Sequence, residues 1–240
     1  MDGLEDIPKS SRIVRSTIES GCKMLKFDFS KPNTESLNII CLGAHSDDIE
    51  IGCGGTILRL IEEYPKLEIT WIVFSAVGER AVEAQKSAET FLSGCMQRRI
   101  VTKDFRDGYF PYTGAAIKDF FESLKLDLSP DLIFTHYRED SHQDHRLICE
   151  LTWNTWRNHF ILEYEIPKFD GDLGNPNFFV SLDNDICEKK IELLMRFFQT
   201  QANKHWFSPD TFNASMRVRG IQCKAPEGYS EAFYSRKLLF

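Results

Sequence analysis

The side chains best suited to chemistry in this 240-residue chain fall in two short clusters. The first is Ala44-His45-Ser46-Asp47-Asp48, with one imidazole and two carboxylates in five positions. The second, well downstream, is Ser141-His142-Gln143-Asp144-His145. Ionisable groups crowded this way are costly to bury unless a metal or a proton-transfer task uses them. His45 and Asp48 are three apart in a tight turn, so both can face one cation, with His145 as a third ligand. Two imidazoles and a carboxylate with an open position make a catalytic rather than a structural zinc arrangement. Asp47 is then surplus to ligation and suits the general base that takes a proton from water. His142 suits an oxyanion partner, expected to be protonated with help from Asp140 or Asp144. Asp144 is expected to accept the distal N–H of an imidazole and so fix its tautomer.

Each residue also has a plainer reading. Asp47 and Asp48, taken singly, read as a helix N-cap with favourable placement on the dipole. His142 to His145 read as a solvated first helical turn, and His136, His159 and His205 as caps or satisfied core histidines. The joint occurrence of H-x-x-D and H-x-D-H in one chain favours the metal site.

The elements that must position these clusters alternate strand and helix. Strand-like runs at 37–44, 67–75, 98–105 and 131–137 are rich in β-branched and aromatic residues. Helical patterns lie between and after them at 54–63, 80–93, 115–126 and 143–157. The alternation predicts an α/β fold with a mostly parallel central sheet and right-handed crossovers. Both clusters follow strands, and open α/β sheets place ligands at the carboxyl ends of their strands. Beyond 158 the rhythm changes to strands at 160–166 and 178–182. A helix through Ile191, Leu194, Met195 and Phe198 follows, capped by Asp183 or Asp185. A last strand or packing arm includes Ala232-Phe233-Tyr234. Gly52-Cys53-Gly54-Gly55 lacks the G-x-G-x-x-G spacing, and acidic residues precede it where a pyrophosphate would be repelled. A dinucleotide site is therefore disfavoured. No repeat or linker divides the chain, which reads as a single domain over 1–240.

Composition narrows the partners. Hydrophobic residues make up 42% and charged residues 27%, ordinary values for a globular enzyme. A net charge of −7 with no dense Lys/Arg run argues against a nucleic-acid partner. Seven scattered cysteines without a C-x-x-C pair read as reduced thiols. The acidic start Met1-Asp2-Gly3-Leu4-Glu5-Asp6 has no apolar signal core, and no stretch reaches membrane-spanning length. A cytoplasmic protein without a membrane partner is expected, with homo-oligomerisation left open.

Ala44-His45-Ser46-Asp47-Asp48-Ile49-Glu50-Ile51-Gly52-Cys53-Gly54-Gly55-Thr56 resembles the (A/P)HPDDxExxxGGT signature of the PIG-L / LmbE-like zinc deacetylase family. Ser141-His142-Gln143-Asp144-His145 is similar to that family's HxDH element. Gly78-Glu79-Arg80 with Glu83 is similar to its GE…R…E stretch, and Tyr229-Ser230-Glu231-Ala232-Phe233 to a YaEaF ending of sugar-active members. The resemblance implies a Rossmann-like three-layer sandwich that holds one divalent metal, commonly zinc, and hydrolyses the acetamide of an N-acetylglucosamine-type sugar. It implies His45, Asp48 and His145 as ligands, Asp47 as base, His142 as partner of the tetrahedral intermediate and Asp144 as an orienting residue. It further implies that Arg80 and Asp107 hold sugar hydroxyls or a phosphate; the plainer reading of Arg80 is an ion pair with Glu83. Ser46 stands where the family has proline, and Asp140 and Ser141 where some sugar deacetylases carry an aromatic residue. The extension 1–36 and the segment 158–228 fall outside the strong motifs, and that extension and the C-terminal part 158–240 are expected to select the substrate. The expected substrate is a small amino-sugar derivative. The rivals are an amidase of the same family acting on a non-sugar or thiol-conjugate amide, and a non-catalytic sugar-binding module.

Overall fold

A computed structural model of the chain describes residues 24–29 and 35–239. The acidic first residues and Cys22 lie outside the described residues. In chain order the elements are β1 Leu37–His45, α1 Asp48–Glu63, β2 Leu67–Ser75, α2 Glu79–Phe91 and β3 Gln97–Thr102. Next come α3 Gly114–Asp127, β4 Leu132–His136, α4 Gln143–Thr155, β5 Phe160–Tyr164 and β6 Phe178–Leu182. The chain ends with α5 Asn184–Phe197, α6 Pro209–Cys223 and β7 Tyr229–Ser235. The seven strands form one sheet in the order β3-β2-β1-β4-β5-β7-β6. Strands β1 to β5 run parallel, while β7 is antiparallel to both β5 and β6. This is the α/β architecture that strand–helix alternation demands.

Strand β1 shows why both faces are covered. Ile39 and Cys41 point into one core with Trp71, Leu132 and Phe134, under α1, α2 and α5. Ile40, Leu42 and Ala44 point into the other with Ile72, Phe74, Phe121 and Ile148, from α3, α4 and neighbouring strands. Apolar residues on both sides of the pleat mark a strand buried between two helical layers. Each large side chain so buried contributes about 1.5–3 kcal/mol, which drives the three-layer packing.

Two details differ from the sequence reading. Helix α1 starts at Asp48, so the glycines lie inside it rather than in a preceding loop. Their reason is close packing. A Cβ on Gly52 would lie 2.1 Å from the Tyr164 ring, and one on Gly55 would lie 2.6 Å from Leu182. The second difference is α6, which periodicity missed because Arg219 and Gly220 share its buried face with Phe212, Met216 and Cys223. Asp183, not Asp185, caps α5, accepting the Ile186 N–H at 2.8 Å.

After β1 the chain winds outward to β2 and β3, then crosses back to place β4 on the other side of β1. The gap between the carboxyl ends of β1 and β4 is therefore the point where strand order reverses. Ligand crevices of open α/β sheets form there. Both histidine clusters meet at this crevice.

Candidate active site

His45 ends β1, Asp48 opens α1, and His145 lies in the first turn of α4. Asp48 Oδ2 accepts the backbone N–H of His45 at 2.6 Å, which closes the turn between them. His45 Nδ1 lies 3.1 Å from His145 Nε2 and 3.3 Å from Asp48 Oδ2, and the latter two atoms are 3.5 Å apart. A tetrahedral zinc with bonds of about 2.0–2.2 Å spaces its donors by roughly 3.3–3.6 Å; two of the separations match and the 3.1 Å pair needs only a slightly closed angle, so the three atoms fit one ion. All three residues are buried.

Protonation suits that use. Burial, followed by the neighbouring His136, takes the His145 pKa down to about 3, leaving a neutral ring with a free lone pair. Burial works against an ionised Asp48, but His145, His136 and His45 outweigh it and hold the carboxyl well below its usual range. Burial likewise works against protonating His45. Asp48, Asp107 and Asp144 override it and hold the pKa well above the usual imidazole value. A bound cation would take over the role of that proton.

The supporting carboxylates set the direction of each ring. Asp140 Oδ2 lies 2.9 Å from His145 Nδ1, which leaves Nε2 facing the other donors. Asp140 is in turn paired with Lys168 at 3.0 Å. Asp144 Oδ2 lies 3.3 Å from His45 Nε2 and Asp107 Oδ1 3.1 Å from it, leaving Nδ1 for the focus. A carboxylate holding the far nitrogen of a ligating histidine is the usual outer support of a metal site.

Asp47 occupies the N-cap position of α1 without capping it; its carboxylate makes no hydrogen bond to the first turn. Instead Oδ1 lies 3.4 Å from Arg80 Nη2, and the residue is only 4% exposed. Burial and the adjacent Asp48 raise its pKa, with Arg80 opposing, so it is a stronger base than an ordinary aspartate. Arg80 bridges Asp47 to Asp107, 3.2 Å from Nη1. Glu83, its helical neighbour, binds Thr200 instead. His142 caps α4, with Nδ1 accepting the Asp144 N–H at 3.2 Å. Its ring centroid is 4.8 Å from that of His45 and 4.7 Å from that of His145. Because Nδ1 is an acceptor, Nε2 carries the proton. Burial, then His45, lowers the pKa of His142, so it is a neutral donor rather than the protonated ring expected from sequence.

The sequence reads His136 as a cap or a plain core histidine, yet it belongs to this cluster. Its Nε2 lies 3.2 Å from Asp48 Oδ2, and its ring stacks on His145 at 3.9 Å between centroids. The Ala44 N–H donates to the same nitrogen at 2.9 Å, which occupies its lone pair. His136 therefore packs beside Asp48 without donating to it, and its lone pair is not free for a metal. Its place at the end of the strand-like run 131–137, just ahead of the second cluster, is the sequence signal. Asp140, in the β4–α4 connection, is near His145 in sequence, whereas only the fold brings Lys168 of the β5–β6 connection to the start of α4. His159 and His205 lie elsewhere, the latter against Phe169.

Residues 40–156, from within β1 to just past α4, match the PIG-L family, described as GlcNAc-PI de-N-acetylase. This stretch is a PIG-L domain. The PIG-L segment contains His45, Asp47, Asp48, Arg80, Asp107, His142, Asp144 and His145, and leaves β5 to β7, α5 and α6 outside. Solved structures share the whole fold. An N,N′-diacetylchitobiose deacetylase from Pyrococcus horikoshii superposes with TM-score 0.67 at 22% identity, covering 88% of this chain and 87% of its own. GalB, a 4-carboxy-2-hydroxymuconate hydratase from Pseudomonas putida KT2440, gives 0.68 at 16%, covering 85% and 98%. The pseudoaglycone deacetylase Dbv21 gives 0.62 at 15%, covering 84% and 97%. The fold of the PIG-L domain and its C-terminal strands is thus common to deacetylases and to a hydratase, and the site must choose between those reactions.

Proposed function

We propose that this protein is a zinc-dependent N-deacetylase that hydrolyses the acetamide of a small N-acetylated amino-sugar derivative. The observation that carries the reading is Asp47, a buried carboxylate of raised pKa at an N-cap that it does not cap, beside three convergent donors. A binding module has no use for such a base. His45, Asp48 and His145 would hold the zinc, which when bound would supply a Lewis acid to polarise the amide carbonyl and acidify water. Asp47 takes the proton of the attacking water and delivers it to the leaving amine. His142, neutral with its proton on Nε2, donates to the oxygen of the tetrahedral intermediate. Asp144 and Asp140 hold the two histidine ligands in their tautomers. Arg80 keeps Asp47 oriented and, with Asp107, offers a guanidinium and a half-exposed carboxylate to sugar hydroxyls.

The similarity to an N,N′-diacetylchitobiose deacetylase and to the A40926 pseudoaglycone deacetylase supports this substrate class, as does the PIG-L description itself. Among the described residues the six free cysteines support a reducing, cytoplasmic setting. No described helix is long and apolar enough to cross a membrane.

The test is acetate release from zinc-loaded protein given N-acetylglucosamine, N,N′-diacetylchitobiose, a nucleotide-linked N-acetylglucosamine and an N-acetylated thiol conjugate. Release from a sugar that is lost in Asp47→Asn supports the reading. Release from the thiol conjugate alone transfers the chemistry to a non-sugar amide. No release from any amide, with hydration of an unsaturated carboxylate instead, overturns it.

A further inference from the structure

The connection after β3 carries Asp107 into the site. Its entry is tied to β2, where Phe105 N–H donates to Phe74 O at 3.1 Å, and its exit is pinned by the fully buried Phe110. Between these anchors lies an exposed tip, Arg106 to Tyr109, that places Asp107 against Arg80 and His45. Three successive peptide groups of this tip are held by the first turn of α4. The Gly108 N–H donates to Asp144 Oδ2 at 2.6 Å and the Phe110 N–H to Asp144 Oδ1 at 3.0 Å. Between them, the Gly108 carbonyl accepts from Gln143 Nε2 at 3.0 Å.

Asp144 also touches His45, so its effects on loop and metal site are mixed. Gln143 reaches the loop alone. We infer that Gln143 is a positioning residue for substrate recognition: it completes a three-point clasp on Gly108 and Phe110 that holds Asp107 ready for a sugar hydroxyl. An unclasped tip would have to order itself on each binding event, and that entropic cost weakens substrate affinity without altering chemistry at the carbonyl. The inference rests on the amino-sugar reading for the role of Asp107; the clasp itself is independent of it.

The experiment compares wild type, Gln143→Ala and Gln143→Glu in the zinc-loaded protein. Kinetics use whichever N-acetylated sugar is turned over, and amide hydrogen exchange is followed across 105–112. Gln143→Ala is expected to raise KM about fivefold, the scale of one lost neutral hydrogen bond, with kcat and zinc content held. Gln143→Glu has the same shape but turns an acceptor toward the Gly108 carbonyl, so KM should rise at least as far. Exchange of the Gly108 and Phe110 amides should quicken in both. Wild-type KM and wild-type exchange in both variants would overturn the clasp, as would a fall in kcat at constant KM. If wild type releases no acetate, the amino-sugar reading fails, and the exchange rates alone still decide whether Gln143 holds the loop.

Discussion

The Lys190 ammonium and the Glu231 carboxylate meet 2.6 Å apart, both buried, against one rung of helix α1. Lys190 donates to the Ile51 carbonyl at 2.7 Å. Glu231 accepts the N–H of Gly55 at 2.8 Å, whose helical partner is that same carbonyl, and the N–H of Thr56 at 2.6 Å. The pair thus joins α5 and the last strand to the helix that begins at Asp48. It also accounts for Gly55 and for the glutamate of the Tyr229–Phe233 motif in packing terms.

Breaking that pair from one side should be severe. Glu231→Ala strands a buried ammonium and is expected to lower stability by about 3–5 kcal/mol. Denaturant unfolding measures it, and a loss under ~1 kcal/mol, the scale of a surface pair, would mean that Lys190 escapes to water.

Gly52→Ala tests the packing role of the glycine cluster. Its Cβ would lie 2.1 Å from the Tyr164 ring, itself fixed by a 2.6 Å hydrogen bond to the Leu42 carbonyl. Overpacking at such a site costs about 1–3 kcal/mol or more, read as a drop in Tm. An unchanged Tm would contradict the close approach.

His45→Ala and His145→Ala should each abolish stoichiometric zinc and, with it, turnover. Elemental analysis of protein purified with added zinc checks the first. Full zinc retention by either variant would remove that residue from the ligand set.

Asp47→Asn should keep zinc and fold while lowering turnover by at least ~10²-fold, the scale of general-base loss. Loss of zinc in this variant would instead make Asp47 a ligand.

His142→Ala should leave zinc content intact and lower turnover by ~10²–10³-fold, the loss of one oxyanion donor. Its pKa is lowered, first by burial and then by His45, so the ring is neutral above its ordinary value of 6.5. The fold-loss should therefore be equal at pH 7 and pH 9. A loss that vanishes at pH 9 would show that a protonated ring is the donor.

Much was legible before any tertiary contact was known. The layer architecture follows from apolar runs of strand length separated by helical periods, because local patterning records which faces are buried. That His45, Asp48 and His145 converge could be read because two His/Asp clusters each follow a strand of an open α/β sheet, and their donor atoms do lie within 3.5 Å of one another. Only the folded chain decided the rest. That β4 lies beside β1, and so that His136 comes within 3.2 Å of Asp48, depends on strand order, which no local pattern encodes. The neutral tautomer of His142 is set by one backbone N–H across the first turn of α4. Arg80 turns to Asp47 and Asp107 rather than to Glu83 because Thr200, far along the chain, takes the glutamate. Residue type dictates what a group can do, whereas partner, tautomer and orientation come from contacts between segments distant in sequence.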